Sequence, residues 1–141
     1  MDKASPPAAH IQLASSVRET GRLHAWLDQV LADVPETAGH AVRLCLEEAV
    51  MNVIMHGYGA GKPGHIEVRL WRGPGQVVTD ILDDAAPFLW QKPPRRAAAA
   101  LADAPVGGLG LGLIHTYASD IQAGRAEGRN RLRLLFTLGQ A

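Results

Sequence analysis

Cysteine is almost missing from this chain. Cys45 is the only one in 141 residues, so no disulfide can form within the chain, and a reducing compartment is expected. Aromatic residues are scarce at 5%, and no basic run is interleaved with them, which argues against a binder of single-stranded nucleic acid. An excess of one charge is lacking too: 14 Lys and Arg balance 14 Asp and Glu, so no global field draws in nucleic acid or anionic lipid. Nowhere do about eighteen apolar residues run together, so no membrane span is expected. The opening stretch, MDKASPPAAH, has no apolar segment that could serve as a signal core. These absences point to a neutral cytoplasmic protein with no direct nucleic-acid or membrane partner.

What is present suits a single domain with a proper core: apolar residues make up 47% and charged residues 20%. Residues 1–9, rich in Pro and Ala, read as a flexible N-terminus. His10 to Ala14 alternates as a short strand. Ser15 or Ser16 can cap a helix running from about Val17 to Ala32. Asp33-Val34-Pro35-Glu36-Thr37 signals a second helix start, and the apolar period continues to His56. Gly57, Gly59, Gly61, Pro63 and Gly64 end it. His65–Trp71 and Gln76–Leu82 form a hairpin about Gly73-Pro74-Gly75. A long connection, Leu89 to Val106, then leads to a glycine-rich stretch that becomes an apolar helix near Leu111. Asp120–Glu127 and Arg131–Leu138 close the chain as strands around Gly128-Arg129-Asn130. Helices early and strands paired by hairpins favour an α+β two-layer sandwich over a parallel βαβ sheet.

Three segments carry chemistry. In CLEEAVMNVIMHGYG, Glu48, Asn52 and His56 fall at i, i+4 and i+8, along one stripe beside the apolar face. A carboxylate and an amide oxygen one turn apart suit Mg²⁺, which keeps waters and completes its shell with phosphates. They equally suit a plain amphipathic border, with Glu47 on the solvated side paired to Arg43. In VTDILDDAAPF, Asp83 at a strand end can accept a hydrogen bond from a pocketed amine such as that of adenine, although Asp is common in any strand-ending turn. In GGLGLGL, Gly108, Gly110 and Gly112 let backbone approach a ligand, and amides at a helix start attract anions. It is neither a Rossmann nor a Walker pattern.

Taken in order, EEAVMNVIMHGY, DDAAPF and GGLGLGLI resemble the N, G1 and G2 boxes of the bacterial anti-sigma factor serine-protein kinases, within the GHKL (Bergerat-fold) ATPases. The resemblance covers essentially the whole chain. It implies a single histidine-kinase-like ATPase domain over 10–141, with a lid at about 89–106. The sheet would be mixed, mostly antiparallel and covered on one face by three helices. It implies ATP and Mg²⁺ as cofactors, with Glu48 as base or water-orienting carboxylate and Asn52 as the Mg²⁺ ligand. His56, Asp83, Ala85, Gly108, Leu109, Gly110, Leu111 and Gly112 would line the nucleotide site. Lys92, Arg95 and Arg96 in the lid would offer a cation to the γ-phosphate. The implied partners are a sigma factor, a STAS-type anti-anti-sigma antagonist phosphorylated on serine, and a second copy of the chain, with Trp26, Trp71 or Trp90 as an anchor. One departure stands out: Ala85 sits where the family usually has glycine. If that turn needs φ > 0, alanine costs about 1–2 kcal/mol and lowers nucleotide affinity about tenfold. The alternative is therefore a GHKL-fold protein-binding regulator with weak or no kinase activity.

Overall fold

The computed structural model describes residues 7–59, 61–86 and 106–138, with backbone alone for 106–111. The chain forms strand β1 (Ala9–Ala14), helix α1 (Thr20–Val30) and helix α2 (Glu36–Asn52), then strands β2 (His65–Gly73) and β3 (Gln76–Asp83). Helix α3 (Val106–Tyr117) and strands β4 (Asp120–Ala126) and β5 (Arg129–Thr137) follow. The strands make one sheet in the order β1-β2-β3-β5-β4. Among the described residues every pairing is antiparallel, in line with the mostly antiparallel sheet expected. Strand β1 starts at Ala9, one residue before the expected His10, and the Ala8 N–H donates to the Leu70 carbonyl at 2.8 Å.

Alternation decides which side of the sheet meets the helices. In β2, Ile66, Val68 and Leu70 are buried in the core, as are Val77 and Ile81 of β3 and Leu134 and Phe136 of β5. Helix α1 contributes Leu23 and Leu27. Helix α2 contributes Val42, Cys45, Leu46, Ala49 and Val50, a stripe at three- and four-residue spacing. Each fully buried aliphatic side chain of this size stabilises the fold by roughly 1.5–3 kcal/mol. The two helices are also laced by side-chain contacts: His24 Nε2 lies 3.3 Å from Glu47, and Arg43 makes an ion pair with Asp28 at 3.2 Å. Glu47 thus faces α1 and does not pair with Arg43, because the neighbouring helix offers both residues a partner across the groove.

Local boundaries follow from capping and turn chemistry. Of the two candidate serines, Ser16 makes the cap, its hydroxyl accepting from the Arg18 N–H at 3.3 Å ahead of a short 3₁₀ turn, Val17–Glu19. Helix α2 ends at Asn52, and Val53–Gly59 continues as a π-helical segment. The β4–β5 turn is the two-residue Glu127-Gly128, with φ of 58° and 74°, and Ala126 pairs Arg129. Two successive left-handed residues are what a two-residue hairpin of the right twist needs. Arg129 and Asn130, read from sequence as turn, are therefore strand.

Beyond the sheet, on the face away from the helices, Trp71 is buried beneath Arg133, whose guanidinium carbon is 5.3 Å from the ring centroid. Trp71 is thus an internal packing residue and not an exposed anchor. Trp26 packs against the core, and Trp90 lies outside the described residues.

Candidate functional site

The site is built where the end of α2, the turn after β3 and the start of β5 come together. Glu48 and Asn52 both lie on α2, one turn apart and half-buried. Burial pushes the Glu48 carboxyl above its ordinary range, and the charge of Glu47 adds to the shift. The Asn52 carboxamide nitrogen is buried with no hydrogen-bond partner, so this amide is not committed to holding the protein together. An uncommitted amide beside a carboxylate fits Mg²⁺, which takes one or two protein oxygens and leaves the rest of its shell to waters and phosphates. His56 is exposed, and its imidazole makes no hydrogen bond to another described residue. The π-helical register that begins at Val53 takes it off the α-helical i+4 spacing that had aligned it with Asn52.

Asp83 is the last residue of β3 and is buried. Its Oδ1 accepts from the Ala85 N–H at 3.0 Å and from Asn130 Nδ2 at 2.9 Å. Both bonds fall on one oxygen, which leaves Oδ2 to accept from a ligand. The same Asn130 amide donates to the carbonyls of Ala85 and Ala86, at 3.3 and 3.0 Å. Arg125 in turn donates to Asn130 Oδ1 at 3.0 Å, which fixes which end of that amide is the donor. Among the described residues Glu127 is the only non-glycine with positive φ, so Ala85 carries no left-handed strain. The glycine that the family usually has there is not required by this turn. The Ala85 methyl lies beside Gly57, 3.6 Å from where a Cβ on that glycine would sit.

The glycine run behaves differently from the loop expected of it. Gly107, Gly108, Gly110 and Gly112 are all within α3, which begins at Val106. Four glycines in a helix disagree with intrinsic propensity by roughly 1 kcal/mol each, and packing of α3 on α2 overrides them. The free amides available to an anion are therefore those of the first turn at Val106, Gly107 and Gly108, while Leu109, Gly110, Leu111 and Gly112 bond along the helix. Lys92, Arg95, Arg96 and the expected lid lie outside the described residues.

Comparison with known proteins agrees with this geometry. The family described as the histidine kinase-like ATPase domain matches residues 12–136. The chain belongs to that family. Its members use ATP, typically with Mg²⁺, through a kinase-like ATPase domain. A relative is the serine/threonine-protein kinase BtrW of Bordetella bronchiseptica, 33% identical over 94 residues, which is 64% of this chain and 65% of that protein. Among solved structures, the histidine kinase domain of the blue-light activated histidine kinase of Erythrobacter litoralis superposes with a TM-score of 0.51 at 13% identity. That match covers 86% of this chain and 60% of the other, and it establishes the fold, an antiparallel five-stranded sheet with three helices of the GHKL type. The chain thus spans less than two thirds of either protein. Among the described residues no helix is long and apolar enough to cross a membrane.

Asn130 is the site residue that sequence reading missed. It looked like part of a Gly-Arg-Asn turn. Its one signal was register: Asn130, Leu132, Leu134 and Phe136 alternate onto the helix side, and Asn130 is the polar member of that series.

Proposed function

We propose that the chain is an ATP- and Mg²⁺-dependent serine-protein kinase and anti-sigma factor of a cytoplasmic partner-switching circuit, whose substrate is a serine of a STAS-type antagonist. The observation that carries the nucleotide half of this reading is the buried Asp83. With Oδ1 held by Asn130 and the Ala85 N–H, its Oδ2 is the acceptor for an exocyclic amine, which suits adenine and rejects the 6-oxo group of guanine. The kinase half is supported by the Glu48–Asn52 pair on α2 and by a relative whose name is serine/threonine-protein kinase.

Phosphoryl transfer asks for positioning and charge stabilisation more than for covalent chemistry from the protein. Asn52 would hold Mg²⁺ through its amide oxygen, and Mg²⁺ when bound neutralises charge on the phosphates. Glu48 accepts the proton of the serine hydroxyl as that oxygen forms its bond to the γ-phosphorus and the bond to ADP breaks. A carboxyl raised by burial is a stronger base at neutral pH than an exposed one. The first-turn amides of α3 face anionic oxygens. Because Ala85 takes no left-handed φ, backbone strain gives no support to a binding-only regulator, whose remaining ground is the methyl group beside the base.

The test incubates the chain with MgATP and a cognate antagonist and looks for phosphoserine. Transfer is expected from the wild type and is expected to drop by about a hundredfold or more in Glu48→Ala. Unchanged transfer in that variant removes Glu48 from the mechanism, and no transfer by a wild type that binds MgATP leaves only the regulator.

A further inference from the structure

Tyr58 lies in the π-helical segment that prolongs α2, and its hydroxyl is used to capacity. It accepts from the Asp84 N–H at 2.9 Å and the His65 N–H at 3.2 Å. Its single proton is shared between the Asp84 carboxylate and the His65 carbonyl, the latter at 2.7 Å. The ring lies flat against Gly64: a Cβ there would come within 2.4 Å of ring carbons, closer than any real side chain allows. Gly64 is itself tied back to the end of β1, its carbonyl accepting from the Ser15 N–H at 2.9 Å. One side chain therefore joins the end of the α2 segment, the first residue of β2 and the turn after β3.

We propose that Tyr58 is a positioning residue of the nucleotide pocket, locking the segment that carries Glu48 and Asn52 to the turn that carries Asp83. The proposal rests on the nucleotide reading above and adds how its two halves keep their spacing. Along the chain, those halves are separated by the whole β2–β3 hairpin. Across Tyr58 they are separated by one phenol. Asp84 follows Asp83 directly, so fixing its N–H and its carboxylate fixes the direction in which Asp83 leaves the strand. Asn130 holds the far side of the same turn through Ala85 and Ala86, and Gly57 makes room for the Ala85 methyl. The turn is thus gripped from both sides without a left-handed residue, which accounts for a chain that keeps the turn with alanine in the glycine position. Burial, with the Asp84 hydrogen bond adding to it, pushes the Tyr58 phenol up to about 12, and the Tyr58 hydrogen bond holds the Asp84 carboxyl below its ordinary range.

A calorimetric titration of the full chain with MgATP and with MgGTP tests this through the ratio of the two dissociation constants. A partly unfolded sample lowers the stoichiometry of both titrations and leaves that ratio alone. The wild type is expected to prefer ATP. Tyr58→Phe keeps the ring over Gly64 and loses the hydroxyl, and it is expected to weaken ATP about tenfold with little change for GTP, so that discrimination falls toward one. Asp84→Ala should do the same, and the double variant should be no worse than the weaker single, since both remove one contact. A ratio within about twofold of wild type in Tyr58→Phe, or losses that multiply in the double variant, overturns the proposal. A wild type that binds neither nucleotide, or binds both equally, refutes the base-reading role of Asp83 and takes the proposal with it.

Discussion

Asp80 and Asp83 are three residues apart on β3, both buried, and they face opposite sides of the sheet. On the side away from the helices, Asp80 receives a bidentate grip from Arg133, with Nε at 2.6 Å and Nη2 at 2.7 Å. Both of its oxygens are spent inside the protein, and Arg133 is held in turn over the Trp71 ring. On the helix side, Asp83 has only neutral donors, and both act on one oxygen. The first carboxylate is neutralised by a fixed opposite charge and belongs to stability. The second has no guanidinium partner and leaves one oxygen outside these bonds, as the proposed reading of an amine requires. Nearby, Glu67 and Glu127 share Arg69 and Arg129 in a closed ring of four charges, another case in which the outer face satisfies itself.

The contrast can be broken most visibly at Asp80. Asp80→Ala strands the Arg133 charge, and the unfolding free energy in urea is expected to fall by about 3–5 kcal/mol, while the protein that remains folded binds MgATP as before. Asp83→Asn is expected to do the reverse. Stability should move by less than about 1 kcal/mol, and ATP affinity should fall about tenfold to a hundredfold in a calorimetric titration, the loss of a hydrogen bond to a charged group. If the two aspartates gave the same pattern, the division between the faces would be wrong.

A smaller effect is expected at Glu48, which like Asp83 has no fixed cation beside it. Its native carboxyl is raised by burial and then by Glu47. The unfolded chain therefore releases this proton first, and stability present below the ordinary glutamate range is lost as pH rises through the raised native value. Glu48→Gln removes that loss. Its melting temperature should match wild type in the ordinary glutamate range and exceed it at about pH 8. The smallest signal should come from Cys45, which is fully buried and has its thiol pushed up to about 12 by burial, with the Glu48 charge adding to it. A thiol reagent should give no reaction with the folded chain at neutral pH and one equivalent after denaturation.

Much of the architecture could be read along the chain. Apolar periods of 3.6 and 2, with turn signals, placed the strands and helices of the described residues in the right order, because burial on one face imposes those periods. The positions of Glu48 and Asn52 one turn apart on α2, and of Asp83 at the end of β3, were legible from local spacing as well. Boundaries were less so. Gly108, Gly110 and Gly112 read as loop because intrinsic propensity is local, whereas their helix is stabilised by packing on α2. Asn130 read as turn because Glu127 adopts a left-handed φ that few non-glycine residues take, which shortened the hairpin to two residues.

By itself, then, the sequence determined the α+β class, the element order and the two polar groups on α2, since these follow from spacing along one segment. Tertiary structure alone decided that Asp80 and Asp83 have opposite fates. Their side chains differ by nothing in sequence except an odd separation, and which of them meets a guanidinium depends on the register that sets Arg133 opposite Asp80 and Asn130 opposite Asp83. Likewise only the folded chain brings Tyr58 to Asp84 and Gly57 to Ala85. Those contacts join segments that are remote along the chain, and no local pattern encodes a partner at that distance.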